Sequence, residues 1–197
     1  MKTPAKSSKR TRDPESKLAS LHDAALQLFT ERGYEHVSIA NIAKEAGIAV
    51  GTVYRFYDNK LFLLRAMLEG IEAEFVARMK AEWAKGGEYA ERLDKVCEGL
   101  FEVAQERSAL LRLFTMTTDV VYEDGLFPGD RIQAQIEEMY REAMNAGAFR
   151  KGDVDMMAAM AHGLVEGAMM RWMRTGSPAH SKVSFDLASV MKSGFLT

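Results

Sequence analysis

The side chains with the most informative types and spacing lie on a short predicted helix from about residue 50 to residue 56. Thr52 and Arg55 offer a hydroxyl and a guanidinium, which can form hydrogen bonds with the edges of DNA bases. Val50 can make apolar contact with the methyl group of thymine. This combination near the start of one helix predicts a surface that reads bases in a DNA groove.

A pair of short helices must position these side chains. Ser38 can cap the first helix, and its small apolar residues recur on one face at helical spacing: Ile39, Ile42, Ala43 and Ala46. Gly47 then suits the left-handed backbone of a sharp helix end. Because the second helix begins within three residues, the two must cross steeply, which is typical of a helix-turn-helix.

Residues 46–64, which read AGIAVGTVYRFYDNKLFLL, resemble the signature of the tetracycline-repressor (TetR) family. Its usual form is A-G-V-S-x-G-T-L-Y-x-(H/Y)-F-x-x-K-E-x-L. The identical residues are Ala46, Gly47, Gly51, Thr52, Tyr54, Lys60 and Leu63. The preceding stretch is also similar to the family's first helix, so the resemblance covers about the first third of the chain. It implies a dimeric DNA-binding protein with an effector site.

Three departures from the signature affect the expected contacts. Ala49 stands where serine is usual, so the second helix lacks a side-chain cap. Phe56 and Tyr57 reverse the usual order, which moves a hydroxyl to position 57. Leu61 replaces a common glutamate. We therefore predict base contacts from Thr52 and Arg55 and apolar contact from Val50. The phosphate-binding candidates are Ser38, Tyr54 and Lys60, and Tyr57 is a further DNA-binding candidate.

The composition predicts an all-α protein without a membrane segment. The chain has 197 residues, of which 47% are hydrophobic and 27% charged, with four prolines and one cysteine, Cys97. One cysteine excludes an intramolecular disulfide. No apolar run approaches the roughly 20 residues needed to span a bilayer, and the basic start lacks the apolar core of a secretory signal. We expect a cytoplasmic protein.

The net charge of −2 is unevenly distributed. Residues 1–60 carry ten Lys and Arg against seven Asp and Glu, whereas residues 61–197 carry sixteen against twenty-one. A basic end on an acidic remainder favours DNA contact by the N-terminal part. Residues 1–12 form a polar, basic arm, for which two interpretations stay open: it follows DNA phosphates or a minor groove, or it is a solubilising tail.

Helical periodicity continues through most of the chain and predicts three domains of unequal size. Residues 1–12 are the flexible arm, residues 13–59 a three-helix DNA-binding domain, and residues 60–197 a six-helix domain for ligand binding and dimerisation. The resemblance implies the same nine helices. The predicted helices span about 14–33, 38–46, 50–56, 60–83, 88–106, 108–119, 131–145, 153–175 and 181–193.

The eighth predicted helix is apolar around much of its circumference, so it should be covered on more than one side. Its small residues allow a second helix to approach closely. We expect this helix and the last one to pack against their copies in a homodimer. The predicted interface residues are Met160, Gly163, Leu164, Gly167, Met170, Leu187, Val190 and Met191.

Twelve of the thirteen methionines lie in the larger domain and make it adaptable, since methionine fits irregular apolar partners. Two interpretations stay open for its large apolar residues: ordinary core, or a pocket for a small hydrophobic or aromatic effector. The candidate pocket residues are Phe75, Met79, Phe101, Phe114, Met116, Tyr140, Met144 and His162.

Residues with catalytic or metal-binding potential are few. His162 and Glu166 lie four apart, a spacing that can hold a metal, but no third ligand follows at a recognisable spacing. The chain has no Gly-rich phosphate loop, nucleophile elbow or Cys-x-x-Cys motif. We therefore predict no enzyme activity, no catalytic or metal site and no cofactor.

The favoured function is a ligand-responsive transcriptional regulator. We expect a repressor that binds a near-palindromic double-stranded operator as a dimer and is released by a small hydrophobic effector. Two alternatives stay open. One is a helical enzyme or small-molecule carrier that merely retains the N-terminal domain, and the other is a DNA-binding dimer that responds to a protein partner.

Overall fold

A computed structural model of the chain describes residues 13–121 and 129–197. It contains nine α-helices within those ranges, which confirms the all-α fold class. The predicted basic arm at residues 1–12 lies outside the described residues. The helices are α1 (Pro14–Arg32), α2 (Ile39–Glu45), α3 (Val50–Val53), α4 (Lys60–Ala84), α5 (Tyr89–Glu106), α6 (Ser108–Val121), α7 (Asp130–Asn145), α8 (Val154–Thr175) and α9 (His180–Phe195).

The chain divides into two compact units, the first ending at Leu63 and the second beginning at Leu64. Helix α4 is continuous across this boundary. None of the helices in the described ranges is both long and apolar enough to cross a membrane. The predicted functional boundary between residues 59 and 60 stays a prediction.

The first unit is a three-helix arrangement around a small apolar core. Leu21 and Phe29 on α1, Ile42 on α2 and Val53 on α3 are all buried. Gly47 has a φ of +65°, the left-handed conformation expected between α2 and α3. Helices α1, α2 and α3 therefore form the predicted helix-turn-helix with its supporting helix.

Helix α3 is shorter than predicted, because it ends at Val53 rather than near Phe56. After Tyr54 two backbone hydrogen bonds have three-residue spacing: Arg55 N donates to Thr52 O and Phe56 N to Val53 O, before Tyr57 N donates to Val53 O. Such tightening is common where a helix ends. Asn59 then caps α4, since its side-chain oxygen accepts from the backbone N–H groups of the second and third residues of that helix.

The second unit has its core where α5 packs against α9 and α7 against α8. Cys97 on α5 is buried there, and its thiol lies 3.8 Å from Met191 Sδ on α9. Burial raises the pKa of this thiol to about 12, so it stays protonated at neutral pH. Cys97 is therefore an apolar core residue with an unreactive thiol.

Tyr140 on α7 is the largest fully buried side chain in the described ranges. Its ring packs edge-on against Phe149 at a centroid distance of 5.0 Å. Its hydroxyl has no hydrogen-bond partner among the described residues. Burial of a polar group without a partner costs free energy, and this burial raises the pKa of the phenol.

We expect the substitution Tyr140→Phe to raise the free energy of unfolding by about 1 kcal/mol, because it removes the buried hydroxyl and keeps the ring. Urea denaturation followed by circular dichroism measures this change. Tyr89→Phe is the matched control, since the Tyr89 hydroxyl is exposed and donates to Glu142 at 3.3 Å. A less stable Tyr140→Phe variant would contradict the prediction.

Candidate nucleic-acid interface and ligand cavity

The base-reading candidates lie on or just after α3. Val50 and Tyr54 are 40% and 53% exposed, and Arg55 is also exposed. Thr52 is half-buried, whereas Val53 is fully buried and fixes the helix to the core of the first unit. Helix α3 and the residues directly after it therefore present hydroxyl, guanidinium and apolar groups on one short segment, and groups of these types can contact base edges.

Ser38 caps α2, as predicted. The Ser38 hydroxyl accepts a hydrogen bond from Asn41 N at 3.2 Å and donates one to Asn41 Oδ1 at 2.7 Å. The backbone N–H of Ser38 donates to the same Oδ1 at 3.0 Å. The two residues form a capping box. The Ser38 hydroxyl already donates its proton to Asn41 Oδ1. To donate to a DNA phosphate instead, the hydroxyl would have to rotate.

Lys60 is held by the first unit itself. Its Nζ donates to Tyr34 O at 2.7 Å and lies 4.0 Å from the centre of the Tyr34 ring. An ammonium group has three donors, so this arrangement leaves the group able to reach a phosphate as well. The lysine therefore also has a structural role, which the sequence did not indicate.

Tyr57 is linked to α1 through His22, whose Nε2 lies 2.8 Å from the tyrosine hydroxyl. Burial lowers the pKa of His22, which favours the neutral ring. The two residues are 35 positions apart, and no local pattern pairs them. This link holds the segment after α3 against α1, and a DNA contact by Tyr57 stays a prediction.

A cavity of about 550 Å³ lies within the second unit. Its wall is mainly apolar and comes from α4, α5, α6, α7 and α8. The apolar lining residues are Leu68, Ile71, Phe75, Leu100, Leu111, Phe114, Ile132, Ile136, Val165, Met169, Met170 and Met173. This volume and this lining are typical of a small-molecule site.

Three of the predicted pocket residues line this cavity: Phe75, Phe114 and His162. The structure places the other five elsewhere. Met79, Phe101 and Tyr140 are fully buried core residues, Met116 is 81% exposed on α6, and Met144 is half-buried on α7. Helical spacing identifies the apolar face of a helix, but it does not show which part of that face borders a gap.

The polar part of the cavity wall gathers at the start of α7. Glu72 on α4 accepts through Oε1 from Gly129 N at 3.1 Å and from Arg131 N at 3.0 Å. Gly129 has a φ of +119°, and a Cβ there would lie 2.8 Å from the His162 ring. Only glycine fits this position without a shift of the ring, and the sequence did not indicate this contact.

His162 and Glu166 both line the cavity. Among residues 13–121 and 129–197, no group of three or more His, Cys, Asp or Glu side chains could hold a metal ion. The pair therefore contributes polarity to the cavity wall.

The outer face of α8 is exposed and apolar. Met156, Met160 and Leu164 follow one another at helical spacing, and a Cβ at Gly163 or Gly167 would meet nothing within 4 Å. On α9, Phe185 and Val190 are also exposed. Met156 and Phe185 are not among the predicted interface residues, although both continue the exposed faces of their helices.

Three of the predicted interface residues lie elsewhere in the second unit. Met170 lines the cavity. Leu187 and Met191 are buried within the chain, because α9 turns this side toward α5. The others are exposed: Met160, Gly163, Leu164, Gly167 and Val190.

Comparisons with known proteins agree with these features. The family model described as bacterial regulatory proteins, tetR family, matches residues 21–67. The nucleoid occlusion factor SlmA of Haemophilus influenzae is 25% identical over 166 residues, which are 81% of this chain and 76% of that protein. The HTH-type transcriptional repressor KstR of Mycolicibacterium smegmatis is 33% identical over 128 residues, 64% of this chain and 61% of that protein.

The fold is also found among solved structures. The transcriptional regulator FadR of Bacillus subtilis, in complex with stearoyl-CoA, superimposes with a TM-score of 0.74 at 21% identity, covering 89% of this chain and 98% of that one. At this level of identity the likeness shows the fold alone.

Proposed function

Because the chain belongs to the tetR family of bacterial regulatory proteins, we propose that it is a ligand-responsive repressor that binds a near-palindromic operator as a homodimer. The observation that carries the proposal is the surface of α3, where Val50, Tyr54 and Arg55 are exposed while Val53 is fully buried. Two of the related proteins are named as a regulator and a transcriptional repressor, and we do not propose catalysis.

In this proposal the side chains of the first unit divide into two groups. Thr52 and Arg55 contact base edges and Val50 contacts a thymine methyl group, which sets the sequence preference. The second group binds phosphates and sets the register on the duplex without reading sequence. Its members are Ser38, Tyr54, Tyr57 and Lys60.

The homodimer forms through the exposed apolar face of α8 and the neighbouring face of α9. A twofold axis repeats the same surface on both protomers. It also presents two recognition helices to half-sites about one DNA turn apart, roughly 34 Å. The operator is therefore expected to be a near-palindrome.

The cavity in the second unit holds the effector. The solved structures of the same fold include a stearoyl-CoA complex and a triclosan complex, which supports a ligand-responsive role for this chain. Effector and operator bind competing states of the dimer, so each lowers the affinity for the other by the same factor.

A test of the DNA assignment uses fluorescence anisotropy with DNA from upstream of the coding region. We expect Tyr54→Ala to weaken binding to every sequence by about fivefold, since it removes one phosphate hydrogen bond. Arg55→Ala should in addition relax the preference at one base position, by about 1–3 kcal/mol. The charge control is Lys151→Ala in the second unit, where the side chain is exposed.

Unchanged operator affinity in both the Tyr54 and the Arg55 variants would overturn this assignment. Binding of the parent protein that disappears at about 0.15 M salt would show phosphate contact without sequence preference.

A second candidate function is a DNA-bound factor that responds to a protein partner. The chain is also similar, over 81% of its length, to a protein named for nucleoid occlusion rather than for transcription, the nucleoid occlusion factor SlmA. The 550 Å³ apolar cavity favours the first candidate. Calorimetric titration with small apolar compounds separates the two, because only the first requires the cavity to bind them.

A further inference from the structure

The polar wall of the cavity is acidic. It consists of three carboxylates, one imidazole and one amide, which belong to Glu72, Asp130, Glu166, His162 and Gln133. None of the described residues that line the cavity is a lysine or an arginine. The remaining wall is apolar and includes two phenylalanine rings, so a ligand meets negative charge on one side and hydrocarbon on the other.

Glu72 is the least solvated of these carboxylates, since its side chain is only 11% exposed. The nearest cation is Arg131, whose Nε lies 4.0 Å from Glu72 Oε2 and whose side chain is 63% exposed. Most of the arginine's charge is therefore screened by water, whereas the carboxylate faces an apolar wall. Two backbone N–H groups and a largely solvated arginine offset the charge of Glu72 only in part, so a cation inside the cavity would gain further Coulomb energy from this carboxylate.

The start of α7 reinforces this preference. The N-terminus of a helix normally attracts anions through its unpaired N–H groups. Here Gly129 N and Arg131 N both donate to Glu72 Oε1. Both N–H groups are therefore occupied by Glu72. An anionic headgroup at this position would face the carboxylate oxygens of Glu72 instead of two N–H donors.

We propose that the cavity selects a hydrophobic cation: a molecule with an apolar body and one protonated amine or quaternary ammonium group. The cationic group lies beside Glu72 and Glu166, and the body packs against Phe75, Ile136 and Met169. This inference rests on the proposed effector role of the cavity and adds the charge of the effector. It separates this chain from regulators whose effectors carry carboxylate or phosphate groups.

The test uses three probes with the same ten-carbon tail: decyltrimethylammonium, decanoate and decanol. Isothermal titration calorimetry measures their binding to the full chain below their micelle-forming concentrations. We expect decyltrimethylammonium to bind about tenfold more tightly than decanoate. The double variant Glu72→Gln with Glu166→Gln should lose this preference, because glutamine keeps an oxygen for the N–H groups of α7 but removes the charge.

The matched control is Glu69→Gln, an exposed position on α4 that does not line the cavity. It should keep the cation preference of the parent protein. If decanoate binds as tightly as the ammonium probe, or if the preference persists in the double variant, the inference is wrong.

The same probes distinguish this failure from a failure of the proposed function. Decanol binding that releases the operator, together with no cation preference, would overturn the charge inference and leave the ligand-responsive regulator standing. A strong cation preference without any effect on operator affinity would support the inference and contradict ligand-controlled DNA binding. Absence of binding by all three probes would overturn the charge inference alone, because the proposed function does not require a ten-carbon effector.

Discussion

Replacing Met160 and Leu164 together by glutamate is expected to separate the dimer into folded monomers and to lower operator affinity by about 100-fold or more. The two side chains lie four residues apart on the outer face of α8 and are 45% and 39% exposed. In a twofold dimer the substitutions place four like charges in one apolar contact, which is costly to bury. A monomer also loses the gain in affinity from binding two half-sites at once.

Sedimentation equilibrium measures the dissociation, and fluorescence anisotropy measures the operator affinity. The matched control is Met116→Glu, which makes the same kind of change at an exposed position on α6. It should leave both the dimer and its DNA affinity unchanged. A double variant that stays dimeric at micromolar concentration would show that α8 does not form the interface.

The substitution Phe101→Ala is expected to lower the free energy of unfolding by about 3–5 kcal/mol. Phe101 is fully buried on α5 and packs edge-on against Trp172, with the ring centres 6.0 Å apart. Its removal leaves an internal gap that the surrounding helices cannot fill without moving. Typical domains have only about 5–15 kcal/mol of stability in total, so this single change is large.

Urea denaturation measures this loss, with Phe114→Ala as the comparison. Phe114 is half-buried and lines the cavity, so its removal enlarges an existing space and should cost about 1–2 kcal/mol. The two variants thereby test whether Phe101 belongs to the core and Phe114 to the cavity wall. A smaller loss at Phe101 than at Phe114 would contradict the division of these residues into core and cavity wall.

The helices could be predicted closely because their signals are local. The spacing of apolar residues, Gly47 between α2 and α3, and Asn59 before α4 each act within a few positions of the chain. Helix α3 is the exception, since three-residue hydrogen bonds end it at Val53 while the apolar pattern continues to Phe56. Over so short a stretch, the pattern of apolar residues does not distinguish three-residue from four-residue hydrogen bonds, so it does not show where the α-helix ends.

The candidate sites were harder to predict from the sequence, because their contacts join residues that are far apart along the chain. The hydrogen bond between His22 and Tyr57, and the bonds from the start of α7 to Glu72, have no signature in either local sequence. Met191 illustrates the same limit: its apolar character fits a dimer interface, but its contact with Cys97 places it inside the chain. The sequence predicted that a second protomer covers Met191, whereas in the structure α5 of the same chain covers it.

The brevity of α3 has a consequence for any genetic search for variants that no longer bind DNA. One helical turn is not stable by itself, and Ala49 provides no side-chain cap. The conformation of α3 therefore depends on the packing of Val53 in the first unit. Such a search should return substitutions at Val53 and Ile42 as readily as at Arg55. Val53 and Ile42 are both buried, so neither side chain can contact the DNA itself.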